Sequence, residues 1–489
     1  MLRCKTACFG DRPPMSDSLP ALTAEVHRQL ALLSYPREEW VPSRGEDVLD
    51  VAIIGGGQAG LATAFGLRRQ MVGRVAILDR AAPGGAGCWT SFARMRTLRT
   101  PKHVSGPDLG VPALTPEAFF RARDGDAAWE ALAKIGRVDW QAYLDWVQAT
   151  LALPVRYGHD VTGIDHDPAT DLLLLRVMTA EGPVTLRARK AVLATGMDGM
   201  GAWSIPAPFD ALPADRVSHT SGPVDFAALA GKRVIVIGAG ASAFDNLATA
   251  LEEGAAAGIM LVRRPTMPRV NPFRWMEQAG FLGQFHAMPD ALKWRFTRHI
   301  FDLNQPPPQA SWDRVAHDPR FSLFMGAPSL GARMEGEEVV IDTPQGPHRA
   351  DHVIVGTGTS FDMGLRPELA GLAPHILLWR DVYTPPKGLE WPALGACPYL
   401  EPTFALREKT PGTAPGLRHI HLINYGATPS MGLSGASISG LKFGVARLVD
   451  GICRMLWLED AGQHLDSLLG YDEWELTSPI PQEVRSAAE

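Results

Sequence analysis

The sequence predicts an α/β fold made of two Rossmann-like dinucleotide-binding domains, the first discontinuous and the second inserted into it. Three observations lead there. Two glycine motifs, at residues 55–60 and 238–243, each follow a short apolar run and precede a helical stretch. Each stretch leads into another apolar run, which makes two βαβ units of about thirty residues. After the second unit the chain returns to strand-like runs at 353–355 and 420–423.

At 489 residues the chain exceeds one ordinary core, so two or three domains are expected. A formal charge of -6 is small for that size and gives no reason to expect nucleic acid or an anionic membrane as partner. The five cysteines include no Cys-x-x-Cys, which leaves a disulfide framework, a zinc ribbon and a redox dithiol without support. Cys4 and Cys8 are spaced to share a metal, but no second pair follows, so free thiols and no metal are expected. No apolar run is long enough for a membrane span or a signal peptide, and a cytoplasmic protein is expected.

Residues 1–47 read as an N-terminal arm with one short helical pattern on Leu22, Val26, Leu30 and Leu33. The first part of one dinucleotide domain spans 48–200: a buried strand at 51–54, a helix over 58–70, a strand at 75–78, helical spacing over 129–153, then short strands that include 184–187 and 191–194. The second domain spans 201–338 and carries an aromatic insert over 265–330 with Trp275, Trp294, Phe296, Trp312, Phe321 and Phe324. Residues 339–456 read as the second part of the first domain, closing with a helix over about 438–456, and 457–489 as a tail. The insert either caps a substrate pocket or serves as core, and with the arm it is a candidate contact for a homo-oligomer.

The chemistry concentrates in the glycine motifs. Gly55 suits a tight turn, Gly57 removes a β-carbon that would block a diphosphate, and Gly60 lets helix and strand pack closely, with Gln58 and Ala59 between them. Unpaired N–H groups at the helix start would hold the diphosphate. Asp79, followed by Arg80, ends the next strand, where a carboxylate can accept from ribose hydroxyls. Gly238, Gly240, Ala241 and Ser242 repeat the arrangement, with Ala243 in the third position. There the following strand ends in Arg263 and Arg264 rather than an acid. Guanidinium groups can fork onto a 2′-phosphate, so NADPH is favoured over NADH, unless the two arginines are simply solvated.

With these motifs in place the sequence resembles the class B flavoprotein monooxygenases, a superfamily that holds the flavin-containing monooxygenases, N-hydroxylases and Baeyer–Villiger enzymes. The resemblance covers about residues 48–455. It rests on the first motif, on Gly84-Gly85 followed by Trp89, and on Ala194-Thr195-Gly196 after a strand. The second motif, read through Ser242 and Asp245, and Gly356-Thr357-Gly358 complete it. It implies FAD on the first domain and NADPH on the second. NADPH would reduce the flavin, oxygen would add as a C4a-(hydro)peroxyflavin, and a small organic substrate would be oxygenated at nitrogen, sulfur or a carbonyl carbon. An NADPH-dependent reductase serving another acceptor, and a non-catalytic flavin-binding sensor, are the alternatives.

The family pattern F-x-G-x-x-x-H keeps only His219 here, with Pro213 and Asp215 at the other positions. Arg99 stands where relatives often carry an asparagine that supports the peroxyflavin, and it could stabilise a peroxide anion. Arg99 and His219 are therefore the candidate catalytic residues. His219 could equally be a linker histidine. Trp89 and Lys102 fall in the segment expected near the flavin ring, and Gly358 in the second crossing. Ser434 precedes the last helix, whose N-terminus could face the flavin carbonyls.

Overall fold

The computed structural model describes residues 18–303, 305–435 and 437–477. Cys4, Cys8 and the side chain of Ser434 lie outside the described residues.

The first sheet forms around the strand Val48–Ile54, with Val75–Asp79 and Val155–Tyr157 parallel on one side and Gly182–Leu193 parallel on the other. The runs at 184–187 and 191–194, expected as separate strands, are one strand with two partners on its far edge. Its exposed first half pairs antiparallel with Leu172–Thr179, and its buried second half pairs parallel with Ile420–Leu422. Helix Gln58–Arg69 covers this sheet and packs on the closing helix Ile438–Glu459. A β-carbon on Gly66 would stand 2.9 Å from Val449 Cγ2, so the close approach depends on that glycine.

The second sheet is all parallel, in the order Phe321–Met325, Ala257–Val262, Arg233–Ile237, His352–Val355, Val217–His219. An antiparallel meander (Gly331–Glu335, Glu338–Thr343, Gly346–Ala350) lies over it, and Val339, Ile341 and Ala350 share a core with Ile235, Leu261 and Val353. The boundary expected at 339 is thereby corrected: the meander and His352–Val355 belong to the second unit, because their apolar faces are buried there. The chain crosses between units after Leu193 and after Val355. The outgoing strand Gly201–Trp203 and the returning strand Thr359–Phe361 pair antiparallel.

Three further expectations change. The arm is no appendage from residue 19 on: helix Leu19–Leu32 buries Leu22, Val26 and Leu30 in the first core, although Leu33 is exposed. The helical stretch 129–153 is two helices, Asp126–Ala131 and Arg137–Thr150, broken near Gly136. Phe321 and Phe324 are strand residues, so the insert proper ends before them. The tail begins with a helix, Ala461–Leu469, that buries none of its residues. Among the described residues no helix is long and apolar enough to cross a membrane.

Candidate functional site

Both glycine loops lie at the carboxyl ends of parallel strands, where ligands of open α/β sheets bind. In the first loop the outer glycines are pinned by the fold. A β-carbon on Gly55 would stand 2.5 Å from the Ala194 carbonyl, and one on Gly60 would stand 1.9 Å from the Gly55 carbonyl. Gly57 is different: the nearest atom such a carbon would meet is Gly87 Cα, at 3.5 Å. The fold itself makes little use of that missing side chain, whereas a diphosphate approaching the start of helix Gln58–Arg69 does. The residues fit a dinucleotide.

Asp79 is buried and accepts from Gly56 N (2.6 Å) and, through its other oxygen, from Ala81 N (2.8 Å). It therefore braces the glycine loop from the next strand, with lone pairs left over for ribose hydroxyls. Arg80 beside it is exposed. Gln58, Trp89 and Trp140 form a group at the helix start. Trp140 Nε1 donates to Gln58 Oε1 (3.2 Å), and the Trp89 ring meets Trp140 edge-on with centroids 6.4 Å apart. Ala59 is partly buried against the same core.

In the second loop Gly238 faces the Gly356 carbonyl, 2.7 Å from where its β-carbon would be, while Gly240 would meet nothing within 4 Å among the described residues. Helix Ala241–Glu252 starts there with Ala241 buried and Ser242 exposed. Arg263 stands exposed just past strand Ala257–Val262, and Arg264 is half-buried with Nη1 on the Asp302 carbonyl (3.2 Å). No acidic residue replaces them at that strand end. This loop too fits a dinucleotide.

The crossings are braced as well. Ala194 is buried, Gly196 and Gly358 are exposed with positive φ, and Asn424 donates to Thr195 Oγ1 (3.0 Å) and to the Gly199 carbonyl (3.1 Å). His219 ends the strand beside the second crossing and stacks on Trp203 with centroids 5.2 Å apart. Its Nδ1 accepts from Ser221 N. Burial lowers its pKa, and a hydrogen bond to the Gly358 backbone opposes that shift, so the ring ties the strand end to the second crossing.

Arg99 and Lys102 are already engaged by protein. Lys102 Nζ donates to the carbonyls of Trp129 and Glu130 and lies over the Trp129 ring. Arg99 Nη1 donates to Gln305 Oε1 (3.0 Å), and its Nη2 lies 3.9 Å from the Asp245 carboxylate of the second unit. Nothing in the sequence pattern pairs Arg99 with Asp245, or Trp140 with Gln58, since both contacts join distant segments. Asn424 belongs to no motif: it lies in a run of small and polar residues, and its bonds to the first crossing come from the tertiary fold.

A small apolar pocket lies between the insert and the segment leaving Asn424. Phe273, Phe285, Phe301 and Tyr425 give it aromatic walls, and Thr297 and Thr428 line it with their hydroxyls donated to the Lys293 and Tyr425 carbonyls. Within the insert, Met276 and Ile300 are core residues that also line the pocket.

Comparison with known proteins gives a consistent picture. A family model for L-lysine 6-monooxygenase/L-ornithine 5-monooxygenase matches residues 129–296, and one for FAD-NAD(P)-binding proteins matches 52–198. A FAD-dependent urate hydroxylase from Xanthomonas campestris pv. campestris is 43% identical over 475 residues, covering 96% of this chain and all of the relative. Among solved structures, the ornithine N-hydroxylase of Kutzneria sp. 744, with reduced FAD, NADP⁺ and ornithine, superposes with a TM-score of 0.64 at 20% identity over 83% of this chain and 99% of its own. A flavin-containing monooxygenase from Stenotrophomonas maltophilia gives 0.52 at 20% identity over 84% and 99%.

Proposed function

Because the chain belongs to the class B flavoprotein monooxygenase family, as an FAD- and NAD(P)H-dependent monooxygenase, we propose that it hydroxylates urate or a closely similar flat heterocycle, with NADPH as reductant. The full-length 43% identity to a urate hydroxylase carries the reading. It also decides against the reductase and sensor alternatives.

The pocket walls are aromatic and almost wholly apolar, which suits the face of a flat ring rather than its polar edge.

Bound FAD supplies the redox and oxygen chemistry, accepting a hydride and activating molecular oxygen. The protein supplies position. Gly57 and the N-terminus of helix Gln58–Arg69 would take the FAD diphosphate, and Gly240 and the start of helix Ala241–Glu252 that of NADPH. Arg263 would pair with the 2′-phosphate. Asn424 holds the first crossing against the segment that forms one pocket wall, and the partly buried Tyr425 and buried Leu433 help keep water from that wall.

The test is coupled turnover. FAD-loaded protein is mixed with NADPH, oxygen and urate, and with ornithine or lysine in parallel. The proposal expects urate to raise NADPH and oxygen consumption together in equal amounts, with one labelled oxygen atom entering the product and the other leaving as water. Consumption that urate leaves unchanged, with peroxide matching the NADPH used, sinks the substrate assignment.

A further inference from the structure

One strip of the first unit, residues 94–99, meets the second unit through several charged side chains. Arg99 reaches Asp245 (3.9 Å) and Gln305 (3.0 Å). Arg96 pairs with Glu252 (3.0 Å), and the Arg94 carbonyl accepts from Arg314 (3.4 Å) while the Arg94 guanidinium lies 5.4 Å from the Phe226 ring centroid. Arg314 then closes the network on the second unit, contacting Asp245 (3.3 Å) and Glu252 (2.8 Å).

Asp245 is the centre of it. The side chain is 2% exposed, on a helix face shared with Thr249 and Glu252, which also meet Arg314. An apolar residue would pack there at less cost, because a buried carboxylate is tolerated only with good partners. Its partners are Ser311 Oγ (2.6 Å), Arg314 and Arg99, and only Arg99 comes from the first unit. The helix that carries Asp245 begins at Gly240, so any tilt of that helix moves the backbone groups that face the nicotinamide dinucleotide.

We propose that Arg99 and Asp245 are positioning residues. Their ion pair across the seam sets the second dinucleotide loop at the distance and angle from the first that hydride transfer requires. Arg99 thus acts through Asp245 rather than on oxygen. This rests on the two-dinucleotide reading and is independent of which substrate is hydroxylated.

The experiment uses FAD-loaded wild type, R99A, R99K and D245N, without urate. Anaerobic stopped-flow reduction over a range of NADPH concentrations separates the limiting rate from the dissociation constant. Dithionite reduction is the control that bypasses the seam, and amide hydrogen exchange reads residues 94–99 and 241–252. The proposal expects R99A and D245N to lower the limiting rate by about tenfold to a hundredfold, with a smaller change in NADPH affinity and unchanged dithionite reduction. Exchange should quicken on both sides of the seam, and R99K should recover part of the rate. If D245N fails to fold, the two Arg99 variants decide alone. Reduction of R99A within about twofold of wild type overturns the proposal, and peroxide leakage in that case would return Arg99 to a role on oxygen.

Discussion

In the first unit the helix after the glycine loop comes so close to its own turn that a β-carbon on Gly60 would stand 1.9 Å from the Gly55 carbonyl. In the second unit the same position is Ala243, and the room is made elsewhere: a β-carbon on Gly356, in the neighbouring crossing, would stand 3.0 Å from the Ala243 methyl. The next strand differs in the same way. Asp79 accepts from Gly56 N of the glycine loop on one oxygen and from Ala81 N on the other, whereas Arg263 stands exposed past its strand. The first unit is pre-shaped around its ligand and suits a cofactor that stays. The second leaves Arg263, the charge proposed to recognise the reductant, exposed to solvent, as suits a reductant that comes and goes.

The largest effect that could break this contrast comes from Gly60→Ala. The added methyl collides with backbone, which cannot yield as a side-chain tip would, and overpacking costs about 1–3 kcal/mol or more. The purified variant should retain little flavin, as read from its absorbance per protein. Full flavin content would mean the first loop is not pre-shaped.

Gly240→Ala should behave otherwise, since the added carbon meets nothing within 4 Å in the protein alone. Thermal stability and flavin content should match wild type, while the NADPH dissociation constant rises about tenfold, ~1.4 kcal/mol. An unchanged constant would place the nicotinamide dinucleotide away from this loop.

Arg263→Ala is a smaller change because the side chain is exposed and screened. Its KM for NADPH should rise about fivefold, ~1 kcal/mol, with KM for NADH nearly unmoved. Equal rises for both would leave the 2′-phosphate assignment without support.

The smallest effect is on stability against pH. His419 and His421 are packed beside Lys190 and Thr403 in the first unit, and burial lowers both pKa values from 6.5 to about 4. Between those values the unfolded chain binds more protons than the folded one. Stability is therefore complete above about pH 6.5 and declines as pH falls towards 4. Amide protection factors near 420–422, corrected for the intrinsic exchange rate at each pH, should fall at pH 5 relative to pH 7. Protection that stays flat over that range would contradict the buried neutral histidines.

Much of this contrast was legible in the sequence because it is local. The glycine loops, the helix starts after Gly57 and Gly240, and the acid-versus-arginine difference all lie within short windows where backbone sterics and charge leave few options. The second crossing was visible as Gly356-Thr357-Gly358, yet the strand before it was assigned to the wrong unit. An apolar run such as 353–355 is equally at home in either buried parallel sheet, and only its pairing with Arg233–Ile237 decides. Arg99 illustrates the same limit. Its position pointed to chemistry near the flavin, but its partner Asp245 is reached only through the tertiary fold.

The most direct test of the division of labour is anaerobic reduction of the FAD-loaded protein by NADPH and by NADPH deuterated at the transferred hydrogen. The account predicts that one equivalent bleaches the flavin and that deuterium slows the bleaching, as direct hydride transfer between two dinucleotides on facing loops requires. Bound flavin that neither NADPH nor NADH reduces would contradict it.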